Sequence, residues 1–334
     1  MASAWLLTCG IFAMSALTGQ GAVQVGASTP LGATLLGVYT GTGNASDVKT
    51  FEKVVGTKIQ WAMQFDTAAS WDLLASYKPP ESSGWGASRY HMVWGIPMLP
   101  SGKPNGDGHG PPCCGATLAI EATGAYNAYF AQFGAALVAH RQSDAVLRIG
   151  PEFNGTWNAW SALGQIHNFI AAYRQVVQAF RFVPGNHFTF DWNPNMFTVA
   201  AGDPGSYYPG DSYVNYVGFD VYDVAWKHYP GSHVEWKNLE TETYGLDWLS
   251  AFAQKHHKPM TFPEWGLGWG LANAGRPVSG AGATQGGDDG YFVTQMESWC
   301  RFHKVAFAIY YEPTGSVSRG RNPNAAKALR RSWG

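Results

Sequence analysis

The sequence predicts an α/β protein that folds as a single (β/α)8 TIM barrel. The chain has 334 residues, a normal length for one barrel of this kind. Short β-rich runs alternate with longer helical patterns along almost the whole chain. Long segments rich in Gly, Pro and Ser follow several of the β-rich runs, and such loops build the C-terminal face on which barrel enzymes carry their sites.

The predicted strands are short runs in which apolar and β-branched residues dominate. They cover residues 35–41, 58–65, 89–99, 145–153, 187–193, 213–222, 258–265 and 305–312. Helical patterns cover residues 118–141, 165–180, 243–256, 288–303 and 323–332. Loops are predicted at residues 78–88, 100–117, 200–212 and 267–287.

The N-terminal segment resembles a signal peptide. Residues 4–19 are apolar, which is short for a membrane span and suits the apolar core of a secretory signal. The first basic residue is Lys49, so the usual positive start of such a signal is absent. We expect residues 1–27 to be a signal peptide with a short N-terminal arm and residues 28–334 to be the catalytic barrel. The mature protein is expected to be secreted or periplasmic, with no membrane attachment.

The net charge and the tryptophan content indicate which kinds of partner the mature chain binds. The formal net charge is -1, which argues against nucleic acid because no basic excess is present to neutralise phosphates. The chain contains 15 Trp, more than a core needs, and flat indole faces suit the C–H faces of sugars. A polysaccharide or oligosaccharide partner is therefore expected, together with a monomeric state.

Cysteine and histidine spacing predicts no metal centre. Cys113, Cys114 and Cys300 remain after removal of the signal segment, so at most one disulfide forms, and a bridge from Cys300 to one of the vicinal pair is one possibility. The histidines are scattered and are interpreted as surface or loop residues. No dinucleotide or phosphate-binding loop follows the first strand. Neither a metal nor an organic cofactor is predicted.

Two glutamates close predicted strands on roughly opposite sides of the barrel. Glu152 ends the fourth strand and Glu264 ends the seventh. Arg148 and Glu152 share one parity along their strand, so both point into the barrel. Two carboxyl groups facing each other across a cleft are what glycoside hydrolysis requires, one protonated to donate and one ionised to attack.

The motifs around these glutamates resemble those of glycoside hydrolase family 26. They are RIGPEFNGTWNAW around Glu152, KPMTFPEWG around Glu264, and YYPGDSYVNYVGFDVYD at residues 207–223. The resemblance runs in order through residues 35–313. It implies a retaining barrel hydrolase of the β-mannanase type, in a family that also contains mixed-linkage glucanases and β-1,3-xylanases.

The resemblance also implies roles for single residues. Glu152 matches the general acid/base, Glu264 the nucleophile, and Tyr222 the tyrosine whose hydroxyl orients the nucleophile. Arg148 matches the arginine that precedes the acid/base motif on its strand, and Asn154 is a further supporting residue. One position departs from the pattern, because mannanases of this family usually have histidine before the acid/base glutamate and this chain has Pro151.

Substrate contacts are expected from residues at or just after strand ends. The candidate tryptophans and polar residues are Trp94, Trp157, Trp160, Trp192, Asn193, Asp220, Trp226, Trp265 and Trp269. Other strand-end acids compete for a catalytic role, and Glu312 on the eighth strand is the main rival.

The function predicted from these observations is a secreted retaining endo-β-glycanase. The substrate is a β-linked polysaccharide of mannan, glucan or xylan type, or a bacterial exopolysaccharide. Two alternatives belong to other classes: a non-catalytic glycan-binding barrel, and a barrel lyase acting on uronates, which would need a basic cleft.

Overall fold

The structure of the protein is a computed structural model. The described residues are 34–76, 84–86, 88–103, 106–196, 201–225, 231–268, 284–285, 287–314 and 316–334. The expected signal segment 1–27 lies outside them. Within these ranges, no helix combines the length and the apolarity that crossing a bilayer demands.

The elements alternate along the chain as a barrel requires. The strands are β1 (Leu35–Tyr39), β2 (Trp61–Phe65), β3 (His91–Ile96), β4 (Val146–Ile149), β5 (Thr189–Trp192), β6 (Tyr216–Ala225), β7 (Met260–Leu267), β8 (Thr284–Gln285) and β9 (Phe307–Tyr311). The helices are α1 (Ala45–Val55), α2 (Trp71–Ala75), α3 (Leu118–Glu121), α4 (Asn127–Ala139), α5 (Ile166–Arg181), α6 (Ser232–Thr241), α7 (Leu246–Lys255), α8 (Gly290–Phe302) and α9 (Pro323–Ser332). Two short 3-10 helices lie at Pro204–Tyr207 and Asp211–Tyr213.

The predicted barrel is confirmed. Strands β1 to β7 and β9 pair in parallel in the order β5-β4-β3-β2-β1-β9-β7-β6, and the β5–β6 pairing closes the ring. Strand β8 is a short addition that pairs antiparallel with the end of β6. In a closed parallel ring every strand ends at the same face, so residues that follow the strands meet there.

Strand alternation divides the core into two layers. Inside the barrel, a small cluster contains Met63, Val93, Val146, Phe307 and Ile309. A much larger apolar cluster packs the outward faces of the strands against the helices. On β4 this places Leu147 and Ile149 outside and Val146 and Arg148 inside, because successive side chains point to opposite faces.

Two sequence predictions about this fold are corrected. The helical pattern at 118–141 forms two helices, α3 and α4, because Gly124 adopts a φ of 80° that interrupts the helix and that residues with a Cβ rarely adopt. The disulfide joins Cys113 to Cys114. Cys300 is a free thiol buried on the core side of α8, so it does not pair with either of them.

Candidate active site

Glu152 and Glu264 meet at the C-terminal mouth of the barrel. One carboxylate oxygen from each of Glu152, Asp220 and Glu264 lies within 4.8 Å of the other two. Glu152 and Glu264 line a cleft of about 420 Å³, and Arg148 contributes to its base. Glu264 lies within β7, across the barrel from the turn after β4 that carries Glu152. The structure thus brings both predicted glutamates to one cleft, although β4 ends at Ile149 and Glu152 lies in the turn beyond it, not at the end of the strand as predicted.

The turn after β4 aims Glu152 into the cleft through an unusual backbone. Gly150 has a φ of 55° and Glu152 a φ of 53°, and a non-glycine residue in the left-handed region costs energy that the surroundings must offset. The carbonyl oxygen of Pro151 accepts hydrogen bonds from Trp160 Nε1 at 2.8 Å and Asn158 Nδ2 at 3.1 Å. These contacts hold the turn and therefore the direction of the glutamate.

Two donors hold Glu264 from opposite sides. Arg148 Nη1 donates to Glu264 Oε2 at 2.8 Å, and the Tyr222 hydroxyl donates to Glu264 Oε1 at 2.5 Å. Burial, followed by the negative charge of Glu264, raises the pKa of Tyr222 well above its usual range. Tyr222 therefore stays a hydrogen-bond donor. A carboxylate whose two oxygens each accept a hydrogen bond has a fixed direction.

Arg148 is fully buried inside the barrel and serves several partners at once. Besides Glu264, it forms an ion pair with Asp220 and donates from Nε to the side-chain oxygen of Asn193. Its guanidinium also lies over the Phe65 ring, 5.7 Å from the ring centroid. A buried cation is tolerated when it is paired in this way, and its charge favours ionisation of the carboxylates around it.

Glu152 is held by a different pair of donors. Trp157 Nε1 donates to Glu152 Oε2 at 2.7 Å, and Asn195 Nδ2 donates to Glu152 Oε1 at 2.5 Å. The predicted supporting residue Asn154 holds Asn195: its side chain donates to the backbone carbonyl oxygen of Asn195 at 2.8 Å and accepts from its backbone N–H at 2.7 Å. Asn195 was missed in the sequence, where nothing distinguishes it from other loop asparagines.

The environments of the two glutamates differ in a way that suits different roles. Burial, and next the negative charge of Glu264, raise the pKa of Glu152, while Arg148, Asn195 and Trp157 oppose that rise. Glu264 accepts a hydrogen bond from the cationic Arg148, whereas the two donors to Glu152 are neutral. Glu152, Asp220 and Glu264 lie close enough together to hold a metal ion. Arg148, however, already forms ion pairs with Asp220 and Glu264.

Three of the predicted sugar-stacking tryptophans lie in the core, which corrects that prediction. Trp94, Trp192 and Trp265 are fully buried, at 0% exposure. Each points outward from its strand and packs on a helix or the chain end: Trp94 against Phe133, Trp192 against Phe252, and Trp265 against Trp333. The reason is parity, since Trp265 follows the inward-facing Glu264 and must face the other side.

The other predicted contact residues are placed in several ways. Trp160 lines the cleft, whereas Trp157 is half-buried and donates to Glu152. Asn193 and Asp220 are fully buried and bind Arg148, so they act on the charges of the site and offer no free surface to a sugar. Trp226 and Trp269 lie outside the described residues.

Other aromatic rings line the cleft instead. Tyr39, Phe65 and Tyr311 end β1, β2 and β9, and their ring centroids lie 5.0–5.1 Å apart in the pairs Tyr39–Tyr311 and Tyr39–Phe65. Strand parity could have found them, because Phe65 and Tyr311 share the parity of the inward-facing residues Met63 and Ile309 on their strands. Asp66, Asp107 and His109 also line the cleft, and His109 is an exposed loop residue, as predicted.

Glu312, the rival strand-end acid, has a structural role. Its carboxylate accepts hydrogen bonds from the Ser316 hydroxyl at 3.0 Å and from the backbone N–H groups of Val317 at 3.1 Å and Ser318 at 2.8 Å. It is 5% exposed and does not line the cleft that holds Glu152 and Glu264. These bonds tie down the loop after β9.

A closed parallel barrel with two glutamates across its C-terminal cleft places the protein in the class of barrel folds that glycoside hydrolases use. Residues 129–239 match the family model described as Glycosyl hydrolase family 26. The resemblance to family 26 predicted from the motifs is therefore confirmed.

Relatives and solved structures agree with this placement. Endoglucanase H of Acetivibrio thermocellus is 26% identical over 196 residues, which cover 55% of this chain and 19% of that protein; the chain thus spans about a fifth of its length. GH26C from Muricauda sp. has a TM-score of 0.62 at 14% identity, covering 90% of this chain and 86% of the other. A Bacillus subtilis mannanase, BCman, has a TM-score of 0.57 at 16% identity, with the same two coverages of 90% and 86%. At identities this low, the structural matches show the fold alone.

Proposed function

We propose that this protein is a retaining endo-β-glycanase that hydrolyses a β-linked polysaccharide by a two-glutamate double displacement. One observation carries the proposal: Glu152 and Glu264 converge on one cleft with different hydrogen-bond partners and carboxylate oxygens within 4.8 Å. Carboxyl groups about 5–5.5 Å apart are typical of retaining enzymes, whereas inverting enzymes keep about 6.5–9.5 Å to admit a water molecule.

In the first step, Glu264 attacks the anomeric carbon of the bound sugar. Arg148 and Tyr222 orient its carboxylate by one hydrogen bond to each oxygen. As the carbon–oxygen bond to the leaving sugar breaks, Glu152 gives its proton to the departing oxygen. The products are a glycosyl ester on Glu264, a free sugar hydroxyl and an ionised Glu152.

In the second step, water replaces the leaving sugar and Glu152 acts as the base. The ester on Glu264 is neutral, so the charge that raised the pKa of Glu152 in the first step has gone. Glu152 removes a proton from water, the oxygen attacks the anomeric carbon, and Glu264 leaves as a carboxylate. Two inversions give net retention, and both glutamates return to their starting protonation.

The proposed substrate class rests on the relatives and on one sequence position, Pro151. Endoglucanase H is a glucanase and BCman a mannanase by name, and a solved domain from Prevotella bryantii belongs to an endo-β-mannanase/endo-β-glucanase. These names support a mannan- or glucan-type main chain, with xylan and bacterial exopolysaccharide also to be screened, because Pro151 departs from the mannanase pattern. We further propose that residues 1–27 direct export and that residues 28–334 form the catalytic barrel.

The test is a reducing-sugar screen on mannan, lichenan, xylan and exopolysaccharides, followed by NMR of the product anomer. Glu264→Ala and Glu152→Ala should each lose nearly all activity while keeping the fold, and Glu240→Ala, which removes a carboxylate on α6, should match the wild type. Azide added to Glu152→Ala should yield a β-linked glycosyl azide. Near wild-type turnover in either glutamate variant, or glycan binding without any reducing-end release, would contradict the proposal.

A further inference from the structure

Both oxygens of Glu152 accept a hydrogen bond from a nitrogen that can only donate. The indole N–H of Trp157 and the amide nitrogen of Asn195 have no lone pair to offer a carboxylic acid proton. They therefore stabilise the ionised carboxylate more than the protonated acid. Glu152, the proposed proton donor, therefore has two hydrogen-bond donors that favour the carboxylate formed once the proton has left.

We propose that Asn195 is a positioning residue that, together with Trp157, fixes the Glu152 carboxyl group and stabilises the negative charge it acquires during leaving-group departure. The inference deepens the proposed function and rests on it. Donors set in place before charge develops need no reorganisation during the reaction, so they lower the barrier for the step in which charge appears.

Asn195 is itself fixed by two independent attachments. The Asn154 side chain accepts from the backbone N–H of Asn195 and donates to its carbonyl oxygen. The backbone of Asn195 also forms a parallel bridge with Asp220 on β6, the residue whose carboxylate pairs with Arg148. Because both attachments involve the Asn195 backbone, its side chain can be removed without releasing the loop.

Several charged and titratable groups act on Glu152 besides these donors. Glu264 on β7 raises its pKa and Arg148 on β4 lowers it. Asp220 on β6 and Tyr311 on β9 interact electrostatically with Glu152 as well. Asp66, Asp107 and His109 line the same cleft. None of these groups is changed by a substitution at Asn195, so a shift in that variant reports the lost amide.

The first measurement needs no substrate. Glu152 is titrated by carboxyl 13C NMR in protein labelled at glutamate, and its signal is identified by its loss in Glu152→Gln. Asn195→Ala should raise the pKa of Glu152, and so should Trp157→Phe, which keeps an aromatic ring but removes the indole N–H. Asn186→Ala, which removes an amide beyond the end of α5, should leave it unchanged. A Glu152 titration that is the same in the wild type, Asn195→Ala and Trp157→Phe overturns the inference.

The second measurement separates proton donation from structural damage. Phenyl and 2,4-dinitrophenyl β-glycosides of the sugar that the wild type hydrolyses are compared, because dinitrophenolate leaves without a proton. A hydrogen bond to a charged group is worth about 1.5–3 kcal/mol, so Asn195→Ala should lose about tenfold or more in kcat/KM on the phenyl glycoside. The loss on the dinitrophenyl glycoside should be less than about twofold. The alkaline limb of the kcat/KM profile should move to higher pH.

The two proposals fail in different ways. Equal losses on both glycosides overturn the positioning role, since a general structural defect would affect both substrates alike. A wild-type protein that hydrolyses no glycoside, but whose Glu152 titration moves in Asn195→Ala, overturns the proposed function and leaves the hydrogen-bond role standing.

Discussion

Glu121 offers a sharp test of the electrostatics of this fold. The side chain lies on α3 at 0% exposure, and neither carboxylate oxygen has a hydrogen-bond partner among the described residues. Burial raises its pKa from 4.5 to about 9, because an unpaired charge is costly in a poorly solvated site. At neutral pH the group is therefore protonated in the folded protein and ionised in the unfolded chain.

The sign and size of the effect on stability follow from this difference. A raised pKa contributes stability that is fully present below about pH 4.5 and is lost as the pH rises to about 9. Each pH unit inside that window costs about 1.4 kcal/mol. The folded state therefore loses roughly 3 kcal/mol between pH 4.5 and pH 7, and about 6 kcal/mol over the whole window.

Replacing the carboxyl group should remove this dependence. Glu121→Leu and the similarly shaped Glu121→Gln are compared with the wild type by urea unfolding at pH 5, 6, 7 and 8. The difference in free energy of unfolding should shift in favour of each variant by about 4 kcal/mol from pH 5 to pH 8. Other titrating groups cancel in this difference if they do not couple to Glu121. Glu240→Leu serves as the surface control, and a difference that stays constant across the pH range would refute the reasoning.

Three further outcomes are expected. Tyr222→Phe removes the 2.5 Å hydrogen bond to Glu264 and should lower kcat/KM by about ten- to a hundredfold with an unchanged circular dichroism spectrum; activity within twofold of wild type would contradict it. Gly150→Ala places a Cβ 2.5 Å from Met98 Sδ at a φ of 55°, and calorimetry should show a loss of about 1–3 kcal/mol, whereas an unchanged Tm would count against this backbone. Glu264→Gln removes the charge that raises the pKa of Glu152, so the 13C titration of Glu152 should move to lower pH, and an upward move would refute the coupling.

The barrel was predictable because local patterns decide it. Strand runs of period two alternate with helical runs, and a parallel ring is the natural way to bury both faces of such strands. The main error among the helices came from one residue: Gly124 lies inside a run that is otherwise helical, and its left-handed backbone ends the helix there. Whether an isolated glycine ends a helix depends on its tertiary contacts, and the sequence does not show those contacts.

Strand parity explains both the success and the failure at the site. It placed Arg148, Tyr222 and Glu264 on the inner face, and the structure brings their side chains into contact. Applied to the tryptophans, the same rule predicts that Trp94 and Trp265 lie on the outer face, where the structure has them. The number of tryptophans suggested a sugar platform, but most of that aromatic surface packs the helices onto the barrel.

Strand parity could not have identified Asn195. It lies in an irregular loop after β5, so no period assigns its side chain a direction. Its position depends on a reciprocal amide contact with Asn154, which follows β4, and on a bridge to β6. Three segments distant in sequence must meet before the amide can reach Glu152. Residues that tune a catalytic group through a loop are therefore found from the folded structure, whereas residues on strands can be found from the chain alone.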